Sequence, residues 1–402
     1  MQTLFTILFI YIGIKILISI SEIFHINKTK TKKAVILSEE NYIKAASYKI
    51  STLRLDIVSS FIELGIFMFW FTFGFAYLYS FMPDISPALT AVLYIDLFLI
   101  LNAIVGIPMS IYKTFVLDKK YGFSNMNLKL FLTDSIKSLS IFLLFGSAIV
   151  YVLSLLIISF PDVWWIYGFV FVFSIIIFIN AIYPTLIAPI FNKFKILEDA
   201  ELKDSISSLL KKVGLNTSGI YTMDASKRDN RLNAYFGGLG KSKRVVLFDT
   251  LIKKLTHNEL LAVLGHELGH FKHKDILKNI FLSAIMMFVM FYVIGNIPQS
   301  IYSYISESKI PAIEIPLFVI LSSVIGFGLL PIINFLSRRN EYHADEFGSS
   351  LISKEDLANA LIKLADENKS YPHSSKLTTI FYHSHPPLVD RLKELGKDYE
   401  IS

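Results

Sequence analysis

Long apolar stretches separated by short polar segments dominate the chain. Seven stretches of about 20 mostly apolar residues are each long enough to cross a bilayer as a helix. They lie near 3–24, 57–81, 90–112, 138–160, 164–188, 279–304 and 313–336. The first lacks the basic start and small-residue cleavage site of a signal peptide, so we interpret it as an anchor. Glu63 and Asp96 fall within these stretches, where ionisable groups usually face a cavity or a partner. The pattern predicts a mainly α-helical, polytopic membrane protein with about seven transmembrane helices.

A polar segment at 189–278 interrupts the apolar pattern and predicts a small α/β domain. Asp199–Lys212 has amphipathic helical spacing and ends near Gly214. Short apolar runs predict three strands, at Ile220–Met223, Asn233–Phe236 and Arg244–Phe248. We therefore divide the chain into transmembrane helices 1–5 (1–188), the α/β segment (189–278), helices 6–7 (279–336) and a polar, mostly helical C-terminal segment (337–402).

Positive charge is concentrated in alternate loops. Residues 25–56, 113–137 and 189–278 are lysine-rich, and two arginines follow the last apolar stretch. The loops at 82–89, 161–163 and 305–312 carry almost none. The positive-inside rule then predicts that the N-terminus lies outside, and that the C-terminus and the α/β segment lie in the cytoplasm. Because the basic loops face anionic lipid, the net charge of +6 requires no nucleic-acid partner.

Candidate chemistry is concentrated in the pentapeptide His-Glu-Leu-Gly-His at 266–270. It lies in Thr256–His273, where Thr256 and Glu259 form the capping box that begins a helix. His266 and His270, four residues apart, project from one face of that helix and can hold one Zn²⁺. Glu267 lies beside them, where it can take a proton from a water molecule that the metal activates. The spacing predicts a metal-hydrolase site.

A catalytic zinc also needs a third protein ligand and an open position. The stretch Arg339–Glu346 offers Glu341 as a ligand, with Asp345 on the same helix face as a hydrogen-bond partner for a ligating imidazole. Rival ligands by chemistry are His273, His343 and Glu346. The chain has no cysteine, so thiolate ligands and disulfides are excluded.

Further motifs along the chain resemble one family. They are Asp118–Ser124, Ile187–Phe194, Met223–Arg228, Asn233–Phe236, Val246–Leu251, the pair Glu341 and Asp345, and Ser384–Leu388. With the pentapeptide they resemble the type I CAAX prenyl endopeptidases, seven-span zinc metalloproteases of the endoplasmic reticulum and of bacterial membranes. The resemblance implies helices around a water-filled chamber and a small gluzincin-like domain. Members often carry His-Ser where this chain has Arg231-Leu232.

The resemblance also implies a role for each candidate residue. The ligands of one Zn²⁺ per chain would be His266, His270 and Glu341, with Glu267 as the general base. Asn233 and His385 would act near the scissile carbonyl. We expect the substrate to add as a strand along Ala234, Tyr235 and Phe236, through backbone hydrogen bonds.

These features predict a membrane-embedded zinc endopeptidase. It would cut near the C-terminus of CAAX-type substrates, prenylated or not, or cut membrane proteins in quality control. We expect a peptide or protein substrate, a lipid bilayer, no nucleic acid, and a monomeric enzyme. The alternative is a seven-span transporter or channel with an incidental metal site, which leaves the pentapeptide unexplained. The short chain and the lack of an endoplasmic-reticulum retrieval tail favour a bacterial inner membrane, with the active site on the cytoplasmic side.

Overall fold

The computed structural model describes residues 2–215, 217–238, 243–303, 306 and 310–399. Its helices are α1 (Gln2–Thr29), α2 (Glu39–Tyr79), α3 (Pro87–Lys120), α4 (Leu128–Ser159), α5 (Trp164–Phe191), α6 (Ala200–Lys212), α7 (Asp249–Ile252), α8 (His257–Lys272), α9 (Asp275–Gly295), α10 (Gln299–Tyr302), α11 (Pro311–Leu351), α12 (Lys354–Glu367), α13 (Lys376–Tyr382) and α14 (Leu388–Glu394). Among the described residues, seven of these are long and apolar enough to cross a membrane: α1 to α5, α9 and α11. The predicted loop at 305–312 lies partly outside the described residues.

The seven long helices pack around an aromatic core and turn apolar side chains outward. Tyr94, Phe98, Trp164 and Phe291 are fully buried in this core. Phe281, by contrast, is 68% exposed, and many leucines, isoleucines and phenylalanines on the outer faces are exposed in the same way. Such a surface is stable in lipid rather than in water. The predicted fold class, a mainly α polytopic membrane protein with a small α/β domain, is confirmed.

Charged groups between the long helices face one another or a cavity. Lys15 of α1 forms an ion pair with Glu63 of α2, whose carboxylate also accepts a hydrogen bond of 2.9 Å from the Tyr11 hydroxyl. Asp96 accepts a hydrogen bond of 2.8 Å from the Ser147 hydroxyl. A cavity of about 370 Å³ lies beside Lys15, with further polar side chains in its wall. Glu63 and Asp96 therefore have partners, and a cavity with polar side chains in its wall lies between α1 and α2.

The α/β domain is one sheet packed against helices. Its strands are β1 (Phe194–Ile196), β2 (Ile220–Met223), β3 (Ala234–Gly237) and β4 (Arg244–Phe248), in the order β1-β2-β4-β3. Strands β2 and β4 are parallel, and the other two pairs are antiparallel. Leu247 of β4 packs with Ile206 of α6 and Leu264 of α8, which fixes α8 against the sheet. Strand β1 is absent from our prediction, because its three residues carry too little pattern.

Helices α8 and α11 carry the predicted site residues. The capping box predicted at the start of α8 is confirmed: Thr256 and Glu259 each accept a hydrogen bond from the other's backbone N–H. Helix α11 runs without a break for 41 residues and joins the last span to the segment that contains Glu341. The division of the chain into four segments stays a prediction, and α5, α9 and α11 each run across one of its boundaries.

The two helices touch backbone to backbone. A Cβ atom at Gly269 of α8 would lie 2.7 Å from the Cα of Ala344, and one at Gly348 of α11 would lie 2.5 Å from the backbone nitrogen of His266. Real Cβ atoms do not approach other atoms so closely, so only glycine fits at either position. This close approach brings the α11 carboxylates within reach of the α8 imidazoles.

We predict that Gly348→Ala pushes α11 away from α8. The added methyl group meets backbone atoms that cannot rotate aside, so we expect a loss of about 1–3 kcal/mol in the free energy of unfolding. We also expect a lower bound-metal content, measured by elemental analysis alongside thermal unfolding. Gly328→Ala on the same helix is the control, because nothing lies within 4 Å of its added Cβ. Equal behaviour of the two variants would contradict the close-approach argument.

Candidate active site

Two imidazoles and one carboxylate converge between α8 and α11. The Nε2 atom of His266 lies 3.4 Å from Oε2 of Glu341, and Nε2 of His270 lies 3.3 Å from Oε1 of the same carboxylate. One ligand atom from each of these residues falls within 4.8 Å of the others. His266 and Glu341 are buried, and His270 is half-buried. Residues from two distant parts of the chain thus meet at one point.

Each imidazole is oriented by a second carboxylate. Oδ1 of Asp345 lies 2.8 Å from Nδ1 of His266, and Oδ2 of Asp275 lies 3.0 Å from Nδ1 of His270. When Nδ1–H donates to a carboxylate, the lone pair of the neutral ring is on Nε2. Both Nε2 atoms face Glu341, so both rings present their lone pairs to the same point.

This donor set fits a metal cation. Burial alone would lower the pKa of His266, but the carboxylates of Asp345 and Glu341 beside it raise it to about 9, so the surroundings of this ring favour a positive charge. Oε2 of Glu341 is buried and accepts no hydrogen bond from any described residue. A buried oxygen without a donor is costly unless a cation satisfies it. Two nitrogens and a carboxylate, without sulfur, are a common ligand set of catalytic zinc.

Glu267 lies next to His266 in the sequence and is half-buried. Burial is the main reason that the pKa of its carboxyl is raised above the ordinary value; the nearby Glu341 adds to this, and His266 and His270 oppose it. A carboxylate with a raised pKa is a stronger base than one in water. The site therefore combines a candidate metal triad with a neighbouring base.

His385 approaches the triad from the C-terminal segment. Its Nε2 lies 3.3 Å from Oε1 of Glu341, yet the side chain is 60% exposed. It opens into a cavity of about 590 Å³, so a bound molecule can reach it. Arg338 of α11 fixes the loop that carries His385, because its guanidinium donates hydrogen bonds to the carbonyls of Thr379 and His383, at 2.6 and 2.7 Å.

Comparison with known proteins assigns this arrangement to a family. A family model described as peptidase family M48 matches residues 197–398, which include every residue of the site. The chain belongs to peptidase family M48. A second model, described as the CAAX prenyl protease N-terminal region with five membrane helices, matches residues 22–193.

Relatives and a solved structure resemble this M48 peptidase over most of its length. CAAX prenyl protease 1 of Saccharomyces cerevisiae is 34% identical over 330 residues, 77% of this chain and 73% of that protein. The human CAAX prenyl protease 1 homolog is 31% identical over 359 residues, 78% of this chain and 74% of that protein. The crystal structure of S. mikatae Ste24p superposes with a TM-score of 0.88 at 30% identity, covering 97% of each chain.

Family membership identifies the protein as a multi-pass membrane metallopeptidase that acts on peptides or proteins. The transporter alternative is therefore wrong. Our expectation of a bacterial inner membrane is not supported either, because the relatives named above are eukaryotic. Chain length and the C-terminal sequence are weak guides to the membrane that contains a protein, because neither is part of the fold or of the active site.

In this M48 peptidase the predicted substrate strand lies at a sheet edge. The N–H of Phe248 donates to the carbonyl of Asn233 at 3.1 Å. Because backbone groups alternate along a strand, Ala234 and Phe236 then turn their N–H and C=O groups to the free edge, while Tyr235 pairs with Val246 of β4. The Asn233 side chain is exposed, and its oxygen accepts a hydrogen bond of 2.8 Å from the N–H of Ala234. Asn233 has no contact with the metal triad among the described hydrogen bonds.

Some residues of the site escaped the sequence analysis. Arg391 is buried and donates two hydrogen bonds to Asp345, at 2.7 and 2.6 Å. Asp275 begins α9 directly after the left-handed residue Lys274, and only that turn brings it back to His270. The rival ligands His273, His343 and Glu346 lie outside the convergent group.

We predict that Asp345→Asn weakens metal binding. The amide keeps the size of the carboxylate but removes the charge that orients His266 and increases its basicity, so we expect a 10–100-fold loss of affinity. Competition with a chelator measures it. Asp390→Asn is the control, because Asp390 is an exposed carboxylate next to Arg391 in sequence. Unchanged affinity in Asp345→Asn would remove Asp345 from the metal centre.

Proposed function

We propose that this M48 peptidase is a zinc endopeptidase that cuts near the C-terminus of CAAX-type peptides, including peptides that carry an isoprenoid. The convergence of His266, His270 and Glu341 beside Glu267 carries the proposal. The names of the relatives supply the substrate class. The peptide joins the sheet at the free edge of β3, which brings a backbone carbonyl to the site.

The proposed mechanism assigns a task to each side chain. His266, His270 and Glu341 hold the zinc, which when bound supplies Lewis-acid polarisation of the carbonyl and a lowered pKa for water. Glu267 takes a proton from the attacking water and later passes it to the leaving amine. The exposed His385 donates an N–H to the oxygen on which negative charge develops. All five of these side chains belong to one chain, so a monomer is sufficient for the proposed mechanism. The molar mass in detergent checks this.

We expect Glu267→Gln to retain metal and lose cleavage. Glutamine keeps the shape of the side chain but cannot accept a proton. The assay uses matched farnesylated and unmodified peptides with a CAAX-type C-terminus, and mass spectrometry identifies the bond that is cut. Elemental analysis of the same samples should find one zinc per chain. Turnover near the wild-type rate in metal-loaded Glu267→Gln would contradict the role of Glu267 as the base. A fully active enzyme that contains another metal in place of zinc would contradict the assignment of zinc.

His385→Ala should lower kcat far more than it raises KM. A donor aimed at the developing oxyanion acts mainly in the transition state. Loss of one such donor costs about 2.7–4 kcal/mol, a factor of about 10²–10³ in rate. His343→Ala is the control, because His343 lies outside the triad and packs against His273. A loss of only a few-fold in kcat would make His385 a structural residue of the loop before α14, next to Pro386 and Pro387.

We propose that the active site faces the cytoplasm. The basic loops on the same side as the α/β domain support this orientation. Because the chain lacks cysteine, single introduced cysteines report on sidedness without a background. Lys212→Cys on α6 should react only after the membrane is permeabilised, whereas Asp84→Cys in the loop between α2 and α3 should react from outside. Both residues are exposed. The reverse labelling pattern would overturn the orientation.

A further inference from the structure

The cavity beside His385 extends well beyond the metal triad. Its volume of about 590 Å³ lies within the range of roughly 300–1,000 Å³ that is usual for ligand sites. His385 and Arg391 lie at its catalytic end. The rest of its wall includes Lys49 of α2, and Asn368 and Lys369 at the end of α12. The cavity therefore joins the candidate active site to cationic side chains from two other helices.

Most charged groups in the wall already have partners. Arg391 is bound to Asp345. The Glu22 carboxylate accepts hydrogen bonds of 2.8 Å from the Ser374 hydroxyl and from the Ser375 backbone N–H. The Nζ atom of Lys369 lies 5.0 Å from the centre of the Phe123 ring, as in a cation–π contact.

Lys49 differs from the other charged groups of the wall. Within the part of the chain that the structure describes, its ammonium group has no hydrogen bond and no ion pair within 4.0 Å. It is half-buried and lies where this cavity meets the adjoining one, whose wall contains Asp56. A cation held away from bulk water without a close counter-ion favours the binding of an anion. The Lys49 ammonium group is therefore available to a ligand.

The direction of β3 tells which end of a peptide reaches this cavity. Leu232, two residues before β3, exchanges two hydrogen bonds with the Asn368 side chain, at 2.8 and 3.1 Å. The N-terminal end of β3 is therefore next to the cavity. Antiparallel pairing is slightly more stable than parallel pairing. A peptide that runs antiparallel to β3 has its own C-terminal end at this point.

We propose that the cavity binds the C-terminal segment of the substrate, and that Lys49 pairs with the terminal α-carboxylate. The inference rests on the proposed function, which supplies the substrate class. A charge-assisted hydrogen bond from Lys49 anchors the C-terminal end of the peptide. The edge of β3 holds the part of the peptide backbone that lies closer to the metal triad. The enzyme then selects peptides with a free carboxyl terminus, and the anchored end determines which bond lies at the triad.

The test compares two peptides that differ only in a free C-terminal carboxylate or a C-terminal carboxamide. The wild-type enzyme should prefer the acid by about ten-fold or more in kcat/KM, the size expected for a hydrogen bond to a charged group. Lys49→Gln should lose the preference, because its kcat/KM for the acid falls toward that for the amide. Lys49→Arg should keep most of it. Lys44→Gln is the matched control, since Lys44 is an exposed lysine of the same helix that pairs with Glu40.

The outcomes separate this inference from the proposed function. Cleavage of both peptides at equal rates by the wild-type enzyme would leave the peptidase assignment intact and overturn the carboxylate site. An unchanged preference in Lys49→Gln would overturn the role of Lys49, and loss of preference in Lys369→Gln alone would assign the carboxylate to Lys369 instead. Cleavage of neither peptide would refute the proposed function itself. Metal content equal to the wild type, with cleavage of the amide, shows that a variant is folded.

Discussion

The backbone contact between α8 and α11 is the constraint on which the rest of the site depends. Glycine at 269 and 348 lets the two helices touch without intervening side chains. A larger residue at either position separates the imidazoles of α8 from the carboxylates of α11. Gly269 and Gly348 therefore set the distance between α8 and α11. That distance determines how closely the three residues of the triad approach one another.

Around that contact, buried charged and polar groups form a series of paired contacts. Arg391 binds Asp345, Asp345 binds His266, and His266 faces Glu341. An isolated charge at any of these positions would be costly to bury, but each has a partner of opposite charge or a hydrogen-bond donor. The chain of contacts extends from α14 through α11 to α8. It makes α14 part of the site, although this helix lies more than 100 residues from the pentapeptide.

The sequence was sufficient for features that depend on local pattern. Hydropathy predicts the spans because the lipid interior favours apolar side chains along the whole length of a spanning helix. The histidine spacing and the capping box predict α8 because they operate within a few turns. Asp275, Arg391 and the pairing of Leu232 with Asn368 were not predictable, because each depends on how separate elements fold back on one another. The continuity of α11 was missed for another reason. The change from apolar to charged residues near Arg338 marks the point where the helix passes from lipid to water. No residue there breaks the helix, so it continues.

The continuous α11 also determines the depth at which chemistry takes place. Its apolar stretch ends near residue 336, and Glu341 follows five residues later, about 8 Å farther along the helix axis at 1.5 Å per residue. A rigid helix therefore holds the candidate metal ligand at the level of the lipid headgroups. A peptide whose hydrocarbon anchor stays among the acyl chains can reach that level without leaving the membrane. Under the proposed function, cleavage of such an anchored peptide would act on a substrate that diffuses in two dimensions.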